Sequence, residues 1–138
     1  MAAYKRLNET AKADAARKKM VELLEQFVKL HPQNALALSI LAEEFAENKN
    51  RQRAVATIQT AQALAPNDPQ VSENIGIAYE KLGDRTQSIR YVRQAMSQGL
   101  PLDDVMTDPD LQKLVADPKF EHQNISSGPG AEAKPKPN

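Results

Sequence analysis

The sequence predicts an all-α protein made of tandem helix–turn–helix repeats and closed by short C-terminal capping helices. Three observations predict it. Apolar and small residues recur 34 positions apart. Within each copy the apolar residues fall at the three- and four-residue spacing of one helix face. Proline, glycine and capping residues stand where those faces should begin and end.

The recurrence holds phase through three copies. Gly76 matches Ala42, Ile75 matches Leu41 and Tyr79 matches Phe45, each 34 residues apart. Ser88, Ile89, Val92 and Ala95 match Ala54, Val55, Ile58 and Ala61 at the same distance. One further shift pairs Val55 with Val21, Ile58 with Leu24, Leu64 with Leu30 and Pro66 with Pro32. Such a period marks a stacked array, because one helical hairpin cannot bury its apolar face alone.

Taken in order, residues 1–34 form a degenerate first unit. Met20, Leu24, Phe27 and Leu30 define its second helix, and Tyr4, Leu7 and Ala11 keep a helical phase before it. The stretch "TAKADAARKK" has neither glycine nor proline, so a hairpin capped at Asp14 and one long helix are both open; the repeat phase favours the hairpin. The second unit, 35–68, has helices over 35–47 and 51–64, joined by the turn "NKN" and stopped by Pro66. The third, 69–102, opens on Asp68-Pro69, a side-chain cap followed by proline at the first helical position. Gly83 suits a left-handed C-terminal cap, and Asp84 caps a helix running to about Ser97. In the segment 103–123, Asp108-Pro109 and Asp117-Pro118 predict two short helices anchored by Leu111, Leu114, Val115 and Phe120. Residues 124–138 carry almost no apolar side chains and are expected to be a disordered tail.

The period and its residues resemble the tetratricopeptide repeat. The third unit matches best, through Ile75, Gly76, Tyr79, Gly83, Ser88, Val92 and Ala95. The second matches through Leu38, Leu41, Ala42, Phe45, Ala54, Ile58, Ala61 and Pro66. The first departs, with Asn8 at the small position, Ala11 at the aromatic one and Phe27 where the family has alanine. "DPDLQKLVADPKF" resembles the capping segment that follows the last repeat in bacterial members. The resemblance implies a right-handed α-solenoid whose concave face, lined by the first helix of each unit, takes peptides or partner helices.

Composition narrows the function. The chain has 138 residues, suiting one domain, and its 18 basic and 18 acidic side chains cancel. Zero net charge argues against a dedicated nucleic-acid binder. With no cysteine there is no thiol catalysis, disulfide or Cys-based zinc site. "MAAYKRLNET" lacks the apolar core of a secretory leader, and "ALALSILA" is too short to span a bilayer, so a cytoplasmic location and no membrane partner are expected. No catalytic constellation stands out. His31 at "KLHPQ" suits a helix C-terminus, and His122 has no partner in sequence. No metal or cofactor is expected, and the chain is not expected to be an enzyme.

The concave face is therefore the candidate site. By the resemblance it comprises Leu36, Ser39, Ile40, Glu43, Ala46 and Glu47 in the second unit. In the third it comprises Gln70, Glu73, Asn74, Ile77, Glu80 and Lys81. Glu43, Glu47, Glu73 and Glu80 outweigh Lys81, so an acidic groove is expected to take a basic or polar peptide; alternatively these are solubilising charges. The outer helices carry Arg51, Arg53, Arg85, Arg90 and Arg93. Some family members hold a partner's C-terminal carboxylate with Asn and basic side chains; Asn74 stands at a matching position, but Glu73 and the Asp103-Asp104 pair nearby argue against such a clamp. The alternative function is self-association into a homodimer through the uncapped N-terminal end, where Tyr4, Leu7, Met20, Val21 and Phe27 leave apolar surface.

Overall fold

The computed structural model describes residues 2–120, with side chains from Lys5 onward. The expected tail, with His122 and the last residues of the capping segment, lies outside the described residues, as does the side chain of Tyr4. Among the described residues, these α-helices follow in order: α1 (Ala2–Leu30), α2 (Ala35–Glu47), α3 (Arg51–Leu64), α4 (Pro69–Lys81), α5 (Arg85–Ser97), α6 (Leu102–Thr107) and α7 (Gln112–Val115). A 3₁₀ turn over Pro109–Leu111 precedes α7, and no strand occurs among the described residues. The protein is an all-α helical repeat.

The repeat is visible in the backbone. The helix pairs α2–α3 and α4–α5 start 34 residues apart, at Ala35 and Pro69 and at Arg51 and Arg85. Each begins on a short polar side chain that accepts a first-turn amide: Asn34 from Ala37, Asn50 from Arg53, Asp68 from Gln70 and Val71, Asp84 from Gln87. The turns match as well. Gly83 sits at φ +80° and Lys49, its counterpart, at φ +60°. In both turns the residue after this left-handed position sends its N–H back five residues, Asp84 to the Tyr79 carbonyl at 3.0 Å and Asn50 to the Phe45 carbonyl at 2.8 Å. That bond satisfies a carbonyl left open at the helix end.

The first unit is not a hairpin. α1 runs unbroken for 29 residues, with Asp14 inside it rather than capping it. "TAKADAARKK" is rich in Ala, Lys and Arg, the residues that cost a helix least, and offers no breaker to start a turn. Only the C-terminal part of α1 joins the body. Val21, Leu24 and Val28 pack against the first core, whose buried members include Leu38, Leu41, Phe45, Ile58, Val71, Ile75 and Tyr79.

A second core lies at the other end. Ile77 of α4 and Ile89 and Val92 of α5 pack with Val105, Leu111, Leu114 and Phe120. Leu111, Leu114 and Phe120, three of the four expected anchors, are buried; Val115 is half-buried at the edge. Helical residues begin at both expected starts, Pro109 and Pro118, and a further short helix, α6, precedes them. α6 forms ahead of Asp108, with Asp103 and Asp104 in its first turn where the helix dipole favours acids. Asp108 accepts from the Asp110 amide to start the 3₁₀ turn, and Asp117 accepts from the Lys119 amide to start the helical residues 118–120. The cap is also tied by charge. Arg85 donates to Glu80 at 2.8 Å and to Asp117 at 2.6 Å, bridging α4 and the cap.

Candidate partner-binding groove

The expected groove residues divide into three groups. Leu36 and Ile40, one turn apart on α2, are exposed, as are Glu47 and Gln70. Glu43, Glu80 and Lys81 are partly exposed. Ser39, Glu73, Asn74 and Ile77 are buried.

The buried four are held inside the fold, not offered to a ligand. Ile77 belongs to the core under the cap. Ser39 donates to the Leu36 carbonyl at 2.7 Å and accepts from the Asn74 amide at 3.0 Å, which ties α2 to α4. Asn74 in turn accepts from Gln70 at 3.2 Å, so its amide is committed on both sides. Glu80 is engaged by Arg85. Asn74, Ile77, Ser39 and Glu80 thus hold helices and cap together, and Asn74 is not placed as a free clamp for a carboxylate. The sequence put Asn74, Ile77 and Glu80 on the inner side of α4 and Ser39 on that of α2. It gave no sign that the chain's own C-terminal segment would lie against that side.

That segment brings further acid. The charges of Asp110 and Asp108 act on Glu43, and those of Asp108 and Asp104 act on Glu73. Burial pushes the Glu43 carboxyl up to about 8; Lys81 pulls it down, while Asp110, Glu44 and Asp108 add to the rise. Burial and a hydrogen bond with Asp108 push Glu73 up to about 7, against a hydrogen bond from Gln70. Lys81 bridges Glu47 at 3.3 Å and reaches Glu43 at 4.0 Å. Asp104 was expected near Asn74 and Glu73; Asp108 and Asp110 are the residues that reasoning from the repeats alone missed. Their proximity to Glu43 and Glu73 depends on the fold of the cap, not on any spacing in the sequence.

The outer arginines are largely paired. Arg51 meets Asp84 at 3.6 Å, Arg53 meets Glu25 of α1 at 2.5 Å, and Arg85 holds the cap. His31 follows the last residue of α1, the helix C-terminus expected for it, and its ring packs on Phe27 with centroids 4.4 Å apart. Among the described residues no group of three or more His, Asp or Glu is arranged to hold a metal ion, and no helix is long and apolar enough to cross a membrane. No family model matches the chain, and no curated protein matches it either.

Proposed function

We propose that the chain is a non-catalytic protein-interaction module of the tetratricopeptide-repeat kind, which takes a basic peptide or helix along α2 beside the cap. One observation carries the reading: Glu43 lies among Glu44, Asp108 and Asp110, with Lys81 opposing them, one turn from the exposed Ile40 and two from the exposed Leu36. A lysine or arginine brought there stabilises the Glu43 carboxylate, which otherwise holds its proton at neutral pH. Apolar side chains on the same ligand cover Leu36 and Ile40. Charge sets on-rate and selectivity, and apolar contact supplies affinity.

The test uses fluorescently labelled peptides of matched length, one set alternating Lys with Leu and one alternating Glu with Leu. The basic set binds, and more tightly as pH rises from 6 to about 8.5, because Glu43 with its pKa of about 8 ionises in that window. Ile40→Lys weakens binding at least about tenfold with an unchanged thermal transition, since Ile40 is exposed. Equal binding of both sets, or no effect of Ile40→Lys, rules the groove out.

A further inference from the structure

α1 has two apolar stripes, and the body covers one. Val21, Leu24 and Val28 face the core. Met20, Leu23, Phe27 and Leu30 face outward and are 42%, 53%, 41% and 78% exposed. At about 100° per residue the outward line runs back through Ala16 and Ala13 and lies roughly 100° around the helix from the core-facing one. Arg17 reaches Glu44 and Glu47, at the C-terminal end of α2. The residues before it project past the body, and 5–16 are all exposed. An isolated helix of about 12–15 residues is marginal in water.

The repeat phase identifies what is missing. Residues 17–30 stand 34 positions before α3, so this part of α1 is the second helix of a unit without a first. In α3 and α5 the positions facing the first helix are small and fully buried: Ala54 and Ala61, Ser88 and Ala95. In α1 they are Met20 and Phe27. Those side chains keep out a helix seated as closely as α2 is on α3. They fit a partner helix that offers small residues in return.

We infer that the partner is a second copy of this chain, bound through an antiparallel α1–α1′ pair about a two-fold axis. The spacing of Ala13, Ala16, Met20, Leu23, Phe27 and Leu30 is that of alternating coiled-coil seam positions. In an antiparallel pair, setting Met20 opposite Leu23 of the second copy sets Ala16 opposite its Phe27 and Ala13 opposite its Leu30. Small meets large in the outer layers and Met meets Leu at the centre, so the stripe is complementary to itself, as a two-fold interface requires. No charged residue interrupts these six positions. This inference does not depend on the groove reading.

Sedimentation equilibrium and circular dichroism test it. At high micromolar concentration the wild-type chain sediments at twice its 15.2 kDa monomer mass. Leu23→Glu/Phe27→Glu returns it to 15.2 kDa with helical content and the melting of the body retained, since both side chains are at least two-fifths exposed. Ile40→Lys in the groove leaves the dimer intact, which separates failure here from failure there. The chain has no cysteine of its own, so Met20→Cys/Leu23→Cys reports the register: mild oxidation gives a covalent dimer, whereas a Leu7→Cys control, on the other side of α1, does not. A wild-type monomer at these concentrations, or a dimer unaffected by Leu23→Glu/Phe27→Glu, overturns the inference.

Discussion

Gly76 stands so close to Val92 that a Cβ built on it lies 2.8 Å from Val92 Cγ2 and 3.2 Å from the Val92 backbone nitrogen. The Ser88 carbonyl is 3.3 Å away, and the Ser88 hydroxyl donates to the Gly76 carbonyl at 2.8 Å. A mid-helix glycine costs about 1 kcal/mol relative to alanine, and here the cost is offset by the close approach of α4 to α5. Gly76→Ala therefore destabilises, by about 1–2 kcal/mol net in urea denaturation, although it improves helix propensity. Val92→Ala in the same chain relieves the side-chain clash but not the backbone one, so the two changes are less than additive. A Gly76→Ala variant more stable than wild type contradicts this packing.

Lys49 occupies the turn position that Gly83 occupies one repeat later, with φ +60° against +80°. A side chain there costs about 1 kcal/mol, which glycine does not incur. Lys49 also donates to the Lys81 carbonyl at 2.6 Å, so the fair comparison is between two variants that lack that exposed bond. Lys49→Gly melts higher than Lys49→Ala, by the equivalent of about 1 kcal/mol. Equal stability of the two argues against a left-handed residue at this turn.

The cap depends on Arg85. Its guanidinium holds Glu80 of α4 and Asp117 at once, and these carboxylates draw its pKa up, Glu80 most strongly. Asp117 is held below the ordinary carboxylate range, by the Lys119 amide first and by Arg85 second. Arg85→Met lowers hydrogen-exchange protection of the Leu111 and Leu114 amides by about tenfold while leaving α2 and α3 unchanged. Arg85→Lys restores little, because one ammonium does not reproduce the two-sided fork. Uniform loss of protection across all helices places the defect elsewhere.

The helix limits from Ala35 to Ser97 were legible because apolar spacing kept phase and breakers or caps agreed with it: the "NKN" turn, Pro66, Asp68-Pro69, Gly83 and Asp84. α1 was not. The repeat phase pointed to a hairpin where the local signals, Ala-, Lys- and Arg-rich with no breaker, favoured a single helix, and the local signals decided the outcome. The groove was partly legible. Glu43 and Ile40 follow from the phase of α2, but which residues of α4 remain free depends on a cap that returns over it. Leu111, Leu114 and Phe120 identified the cap's apolar side without saying which helix it would cover.

The carboxylates between α2, α4 and the cap set the direction of pH dependence. Glu43 has a folded pKa of about 8 and Glu73 of about 7, both above the ordinary glutamate value of 4.5. A raised pKa means that the folded chain binds the proton more tightly than the unfolded one does. The stability this contributes is fully present below about pH 4.5 and is lost as pH rises towards 7 for Glu73 and 8 for Glu43. Within those windows each group lowers stability by up to about 1.4 kcal/mol per pH unit. Other groups titrate too, so the informative quantity is the difference between variants. Glu43→Gln/Glu73→Gln, which keeps the shape of the protonated acids, flattens the fall in melting temperature between pH 5 and about 8 and melts above wild type at the upper end. Below about pH 4.5, where the wild-type acids are protonated in both states, the two proteins converge. Parallel profiles across the whole range place both carboxylates in solvent and remove the acidic cluster as a feature of the folded chain.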